Sequence, residues 1–425
     1  MSMQRKWKLI AVLVLTLVIL GAVGWQQFVP QPTQPKTITI TPVVTTISGS
    51  QTIAQPDCIV IDTHAHLQWD SGSESSSDLA VKTALENMEK FGIQKTLIMP
   101  PPFPARFAGT YDHKELAEIT KKYPGRFAVL AAGGSLNPMI HSTRPEEVTP
   151  DIKRSFQEIA EGIIRNGAVG FSETTAEHFS LHTGHPYLSA PPDHPLFLLL
   201  AEIAANNNVP IDLHMEAIPQ DMLLPKELDS PPNPKTLREN MAAFERLLSY
   251  NRNARIIWAH AGWDNTGYRT VALMQQLLQR HPNLYMSIKI QKPLFPENMP
   301  LNERGDIRPE WVDLIRSFPD RFVIGSDTFY GVAGEVTWRT PSGETPPKEN
   351  PIWVFLRKLP PDLARKVAYE NVLWIYNVKT DSAPWQISSG SLLDIVCTFA
   401  DNTYPSVCCC VPNPDRYTRQ HRATG

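Results

Sequence analysis

The stretch Ile61-Asp62-Thr63-His64-Ala65-His66 ends the first of several apolar, β-branched runs in this 425-residue chain. Side chains alternate along a strand, so His64 and His66 point to the same face, about two residue rises apart. Both imidazoles can therefore reach one cation. Neutral imidazoles and carboxylates suit zinc, manganese, iron or nickel. The stretch predicts a strand whose carboxyl end contributes to a metal site.

From residue 57 to residue 381, short apolar runs alternate with longer segments of helical spacing. This alternation implies parallel strands with crossover helices, and eight such units over about 300 residues match a closed barrel. The predicted strands are 58–67, 95–100, 126–133, 168–173, 209–216, 254–262, 284–290 and 321–327. The predicted helices include 79–91, 151–166, 196–206, 235–249, 268–280 and 308–317.

The alternative to a barrel is an open, doubly wound sheet. Such a sheet normally carries a glycine-rich phosphate turn after its first strand, and this chain has His64 and His66 there. The sequence therefore predicts an α/β fold, a (β/α)8 TIM barrel, preceded by an N-terminal transmembrane or signal segment.

Residues suited to chemistry also fall at the ends of other predicted strands, where barrel enzymes keep their active sites. Each has a plain structural explanation when taken alone, such as a hydrogen-bonded core histidine or a helix cap. Their coincidence with the right strand ends favours an open metal site with room for water and substrate. These residues are Glu173, His214, His260 and Asp327.

The chain resembles the amidohydrolase superfamily, and more closely its amidohydrolase 2 branch, over about residues 57–380. The matching pieces are 61–66, Asp212-Leu213-His214, Ala259-His260-Ala261-Gly262, Gly325-Ser326-Asp327 and a closing helix at 364–376. The resemblance implies that His64, His66 and His214 bind metal. It also implies that Asp327 binds metal and handles the proton, and that His260 binds a second metal or polarises the substrate.

Glu173 decides the metal count that the resemblance implies. It stands where TatD-type hydrolases have a Glu that bridges two metals, and a salt-bridged surface Glu is the alternative. With a bridge, His64, His66 and Asp327 would serve one ion, and His214 and His260 the other. The amidohydrolase 2 branch more often resembles the one-metal pattern, so one ion is favoured, zinc before manganese, iron or nickel.

The implied reaction is the attack of activated water on an amide, lactone or other ester of a small molecule, with Asp327 as the general base. The main alternative is a metal-dependent, non-oxidative decarboxylase of a small carboxylic acid, in which Asp327 and His260 aid proton transfer to carbon. A third possibility is an inactive barrel that acts as an extracellular binding module.

Further residues near the strand ends are candidates for substrate contact. Lys289 is suited to an anionic group, Arg106 lies in a Pro-rich loop, and Trp263 follows the sixth-strand histidine directly. Solvated or packing side chains are the alternative for each of them. The same holds for other polar residues of these loops, namely Asp264, His178, His182 and His185.

The first residues predict a membrane segment. Arg5, Lys6 and Lys8 precede an apolar run at 9–25, a charge layout that fits the positive-inside rule. The run is near the lower limit for a spanning helix but is longer than a usual signal-peptide core. We therefore predict an anchor at 1–25 that places the catalytic domain outside the cytoplasm. The alternative is a cleaved signal and secretion.

The regions that flank the predicted barrel differ from it in composition. Residues 26–56 are rich in Pro, Thr and Gln and predict an extended tether. Residues 382–425 hold four of the five cysteines, three of them adjacent, which match no zinc spacing and no complete disulfide framework. The net charge is −3 with no Lys/Arg-rich run, so nothing indicates nucleic-acid binding. The sequence gives no indication of oligomeric state.

Overall fold

The computed structural model describes residues 59–68, 74–109, 111–182, 184–331, 336–337 and 351–379. All of them lie in one unit of the chain, residues 55–425. Strands and helices alternate through this unit. The main strands are β1 Val60–Leu67, β2 Ile93–Met99, β3 Phe127–Val129, β4 Phe171–His178, β5 Pro210–Met215, β6 Arg255–Ala261, β7 Leu284–Ile288 and β8 Phe322–Ile324.

The helices between these strands begin with α1 and end with a closing pair of helices after β8. They are α1 Glu74–Phe91, α2 His113–Lys122, α3 Leu136–Ser142, α4 Pro150–Arg165, α5 Pro195–Asn206, α6 Met241–Tyr250, α7 Val271–Arg280, α8 Pro309–Ser317, α9 Pro351–Lys358 and α10 Pro361–Arg365. Helix α10 continues through a π-helical turn, Lys366–Glu370, into Asn371–Ile375.

The eight strands form one parallel ring. β1 pairs with β2 and β2 with β3, while β4, β5, β6, β7 and β8 pair in that order. A parallel bridge between Leu130 and Gly170 joins β3 to β4. After β8, the strand Thr328–Tyr330 pairs in parallel with the end of β1 and closes the ring. The predicted (β/α)8 barrel is confirmed.

Helix α4 illustrates how the outer layer forms. The Thr149 hydroxyl accepts from the Ile152 amide and Pro150 opens the helix, two features typical of a helix start. Phe156, Ala160 and Ile163 are buried at helical spacing and pack in the main hydrophobic core. One apolar face of the helix therefore covers the barrel, as its sequence period requires.

The two ends of the barrel interior differ in chemistry. A second apolar cluster includes Ile61, Leu97 and Ile257 from the strands. Val372 and Tyr376 join it from residues 366–376, which we call the closing segment. Ile59 and Val169, which precede their strands, pack against the same cluster. The closing segment therefore seals the amino-terminal end with apolar side chains, and polar residues are left to the carboxyl-terminal end.

Three strands contain an extra residue near their carboxyl ends. Asp62 pairs with Thr96 and Ala65 pairs with Ile98, so β1 advances by three residues where β2 advances by two. The same shift occurs in β4 beside Glu173, relative to β5, and in β6 beside His260, relative to β7. Such bulges bend a strand and re-aim its side chains. On β1 the bulge lets Ile61 and His66 share the inner face, while Val60, Ala65 and Leu67 pack in the outer core.

Several predicted boundaries differ from the structure, and two of these differences have a visible local cause. β4 runs to His178, beyond the predicted end at residue 173, because Glu177 and His178 pair antiparallel with the short strand Leu188–Ser189. The helix predicted at 235–249 begins at Met241, because Thr236–Leu237 pairs instead with Met222–Leu223. In both cases a short antiparallel pair of strands moves the boundary, and the hydrophobic period of the sequence does not reveal such a pair.

The predicted anchor (1–25), tether (26–56) and tail (382–425) lie outside the described residues and stay predictions. Within the part of the chain that the structure describes, each helix is too short or too polar to cross a membrane.

Candidate metal centre

Six side chains converge at the carboxyl-terminal end of the barrel and form a donor cluster with two halves. In the first half, His64 Nε2 and His66 Nε2 lie 3.7 Å and 3.6 Å from Glu173 Oε2. The same two nitrogens lie 3.8 Å and 3.1 Å from Asp327 Oδ1. We call His64, His66 and Asp327, with Glu173 Oε2, the first half.

The second half gathers around the other oxygen of the same glutamate. Glu173 Oε1 lies 2.7 Å from His214 Nδ1 and 3.3 Å from His260 Nε2. The two imidazole nitrogens are 3.1 Å apart. Within each half, the histidine nitrogens and the Glu173 carboxylate are close enough together to hold one ion. Glu173 is 3% exposed and central, which rules out the surface-glutamate alternative.

Hydrogen bonds behind the first half fix its imidazole tautomers. His66 Nδ1 lies 3.1 Å from the Met99 carbonyl oxygen, which can only accept, so Nδ1 carries the hydrogen. His64 Nδ1 lies 3.4 Å from the buried Asp212 carboxylate. Both Nε2 atoms then face carboxylate oxygens, an arrangement that repels unless a proton or a cation lies between them. Burial lowers the pKa of His64, but without a metal Asp212 and Glu173 outweigh it and hold that pKa well above its ordinary value. His64 Nε2, which is buried, has no hydrogen-bond partner among the described residues. The donor set therefore fits a metal ion.

Electrostatics favour the ionised form of both carboxylates. Burial alone raises the pKa of Glu173, but His214, His260 and His64 outweigh it and hold that pKa well below its usual range. Burial likewise raises the pKa of Asp327, and Lys289 outweighs it, helped by His66 and His260. Burial, then Lys289, lowers the pKa of His260 well below its ordinary value. Ionised carboxylates beside a neutral imidazole are the protonation states that metal binding needs.

The backbone is strained at two donors. His260 (φ 65°) and Asp327 (φ 53°) adopt the left-handed conformation that side chains with a Cβ rarely take. Asp62 holds the second of these turns, since its carboxylate accepts from both the amide and the hydroxyl of Ser326. A Cβ at Gly325 would meet Ser287 Oγ at 2.0 Å and His64 Cβ at 2.9 Å, so this turn leaves little room for a side chain. Strain of this kind clusters at functional sites.

A cavity of about 590 Å³ includes Glu173, His214 and Asp327 in its lining, a size within the usual range of small-molecule sites. Other parts of its wall are apolar, with Phe103, Leu294 and Phe329 among the lining residues. The Phe329 ring stacks on His66 at 4.3 Å between centroids. The site thus joins a polar, charged pole to apolar walls.

The predicted substrate-contact residues fall into two groups. Lys289, Trp263 and three histidines line the cavity; His182 and His185 lie in the loop as predicted, whereas His178 is the last residue of β4. Arg106 is exposed, does not line the cavity and lies over the Phe107 ring. Asp264 is buried and accepts from the backbone amides of the turn that follows β6, a structural role.

Two functional positions lay beyond the sequence argument. Asp212 precedes His214 by two residues on β5 and backs His64 on β1. Asp62 precedes His64 by two residues and orders the turn before Asp327. The shared signal was an Asp two residues before a candidate histidine, which alternation alone could not distinguish from a further metal ligand.

A family model matches most of the residues that form the barrel. Residues 61–377 match the family model described as amidohydrolase. No curated protein sequence matches the chain. Solved structures similar to it include a probable 2-pyrone-4,6-dicarboxylic acid hydrolase from Acinetobacter baumannii, at 14% identity and a TM-score of 0.44, with 75% of this chain and 99% of that chain covered.

Two further solved structures are similar at the same level. One is 2,6-dihydroxybenzoate decarboxylase from Rhizobium, at 16% identity and a TM-score of 0.45, with 75% of this chain and 99% of that chain covered. The other is dihydroorotase from Campylobacter jejuni, at 15% identity and a TM-score of 0.43, with 76% of this chain and 85% of that chain covered. Likenesses this distant do not define an activity for this chain.

Proposed function

The chain belongs to the amidohydrolase family, and from that membership we propose that it is a metal-dependent hydrolase of an amide, lactone or other ester bond in a small molecule. The observation that carries the proposal is the position of Glu173. One of its oxygens faces His64 and His66, and the other faces His214 and His260. We propose that it is shared by two divalent cations rather than the single ion that the branch resemblance favoured.

Each half of the donor cluster would hold one cation, zinc in the first instance. The donors are nitrogen and oxygen atoms without thiolate, which also suits manganese, iron and nickel. When bound, such cations lower the pKa of water and polarise the bond to be cleaved, as in other two-metal hydrolytic sites.

The remaining work falls to side chains of this chain. Asp327 is ionised and lines the cavity, so it is the general base that accepts a proton from the attacking water and returns it to the leaving group. His260, held neutral, orients the substrate's carbonyl oxygen or holds the second ion. The apolar walls exclude bulk water, which strengthens every charge interaction inside.

Decarboxylation of a small carboxylic acid is the second candidate, and one observation favours it. Phe329 stacks on His66 beside the donor cluster, and Phe103 and Leu294 continue the apolar lining. Such walls would desolvate a carboxylate, which favours its loss as neutral carbon dioxide while the electron pair and the negative charge stay on the carbon. Asp327 and His260 would then aid the transfer of a proton from solvent to that carbon.

The test is a product assay on protein reconstituted with zinc or manganese after chelation. A panel of amides, lactones, esters and aryl carboxylates is followed in parallel for acid release and for carbon dioxide release. Acid release that vanishes on chelation and returns with metal supports the hydrolase. Carbon dioxide release supports the decarboxylase. A protein that retains neither metal would favour the inactive binding module and contradict the proposal.

A further inference from the structure

Lys289 follows β7 directly and is only 2% exposed. Its ammonium donates to Asp327 Oδ2 and lies 3.7 Å from the centre of the Trp263 ring, a cation–π contact. Its backbone amide donates to the Ala261 carbonyl at 3.0 Å. The side chain is thus fixed between the carboxyl ends of β6, β7 and β8.

This contact gives the two oxygens of Asp327 different partners. Oδ1 lies 3.1 Å from His66 Nε2 and faces the first half. Oδ2 accepts from the Lys289 ammonium. A carboxylate held in this way presents one oxygen to the donors and cannot rotate to present both.

The charge of Lys289 has a second effect, opposite in sign to its geometric one. A buried ammonium close to the donor cluster repels a divalent cation, because the low dielectric of a buried site strengthens like-charge repulsion. Lys289 therefore orders a metal ligand and at the same time opposes the metal.

We propose that Lys289 is a positioning residue of the metal centre. It holds Asp327 in a one-oxygen orientation that catalysis requires, and it lowers the affinity of the site for cations. The inference rests on the proposed metal-dependent function and deepens it. It also gives Lys289 a role different from contact with an anionic group of the substrate, for which the sequence made it one candidate.

The experiment compares Lys289→Met, which keeps the apolar stem but removes the charge, with Lys289→Arg, which keeps the charge. Lys121→Met is the matched control, since Lys121 is exposed on α2 and does not line the cavity. Apoprotein is titrated with Co²⁺, and the visible absorption of the bound ion reports its coordination. Hydrolysis of p-nitrophenyl acetate gives kcat and KM, and thermal unfolding confirms the fold.

For Lys289→Met we expect Co²⁺ binding to tighten by about tenfold, since a nearby like charge is gone. We expect an altered Co²⁺ spectrum, and a kcat about a hundredfold lower at similar KM, the cost of a misplaced catalytic group. Lys289→Arg should restore the spectrum and most of kcat, and Lys121→Met should resemble the wild type.

Opposite changes in affinity and kcat are a signature that structural damage does not produce. Weaker Co²⁺ binding with a lower unfolding temperature in Lys289→Met would overturn the inference. So would an unchanged spectrum and affinity with a raised KM, the result expected of a residue that only reads the substrate. The Co²⁺ readouts decide the question whether or not the ester is turned over. A wild-type protein that binds no Co²⁺ would instead contradict the proposed function itself.

Discussion

The two halves of the donor cluster share Glu173 but are supported differently. Behind the first half, Asp212 and the Met99 carbonyl fix the ring nitrogens that point away from the centre. In the second half, His260 Nδ1 is buried without a hydrogen-bond partner among the described residues. The first half also has a second carboxylate, Asp327, within 3.8 Å of both of its imidazole nitrogens.

This difference implies an order of binding. Hydrogen-bonded partners behind metal-ligating histidines hold the tautomer and raise ligand basicity. Two carboxylates also attract a cation more strongly than one carboxylate does. We therefore expect the first half to bind its ion tightly and the second half to bind weakly. Loss of a donor from the first half should then remove the tightly held ion, whereas loss of a donor from the second half should leave that ion in place.

The largest effect should come from His64→Ala. This change removes a donor from the tight half, so the protein should lose its tightly held ion and its activity together. The matched variant, His260→Ala, should keep one tight equivalent. Metal analysis after dialysis against a weak chelator checks both proteins. Equal metal loss in the two variants would contradict the inequality of the halves.

The next effect concerns the proposed base. Asp327→Asn keeps the shape of the side chain but removes its charge, and kcat should fall by about 10²–10⁴-fold, the range for a lost general base. Steady-state kinetics with circular dichroism checks the change. Asp313→Asn, on the exposed face of α8, is the control. Full activity in Asp327→Asn would exclude the base role.

A smaller effect is expected from Asp212, which contacts the His64 ring nitrogen that points away from the first half. Asp212→Asn leaves all six cluster side chains in place but weakens the support of His64 Nδ1. Metal affinity of the first half should fall by about 10–100-fold, the usual cost of losing such a partner. Competitive Co²⁺ titration measures it. Loss from the second half alone would show that Asp212 acts elsewhere.

Much of this site could be predicted from the sequence because strand alternation and barrel topology are regular. Those two rules alone place His64, His66, His214 and His260 at one end of the ring. They could not decide whether Glu173 points inward, because a bulge beside it changes the alternation of β4. Bulges depend on register with a neighbouring strand, and one strand's sequence does not contain that information.

The partners of Asp327 and Arg106 escaped prediction for a related reason. The sequence places Lys289 at the end of the seventh strand, but its contact with Asp327 depends on a left-handed turn at that aspartate. Arg106 follows β2 as expected, yet its loop directs it to solvent. Sequence spacing places a residue at a strand end, and the loop conformation decides what its side chain contacts.

The smallest predicted effect uses a second glutamate on β4. Burial raises the pKa of Glu177 to about 7, whereas that of Glu173 is lowered. The folded protein therefore binds more protons than the unfolded chain between about pH 4.5 and 7. The contribution of protonated Glu177 to the free energy of unfolding is therefore fully present below the pKa that Glu177 has in the unfolded chain. It is lost as the pH rises through 7, the pKa in the folded protein.

Glu177→Gln should remove this dependence, because its amide does not titrate. Relative to the variant, the wild type should show a free energy of unfolding that falls by on the order of 2 kcal/mol across that pH range. Urea unfolding at pH 5 and pH 7.5 checks the difference, with metal content held constant by chelation. Parallel curves at both pH values would show that Glu177 titrates normally.

The central claim is that Glu173 serves two cations at once. Metal content per chain, measured on protein reconstituted with excess zinc and then desalted, tests it most directly when wild type and Glu173→Gln are compared. The account predicts two equivalents in the wild type and one in the variant, with the remaining ion in the first half. One equivalent in both proteins would contradict it.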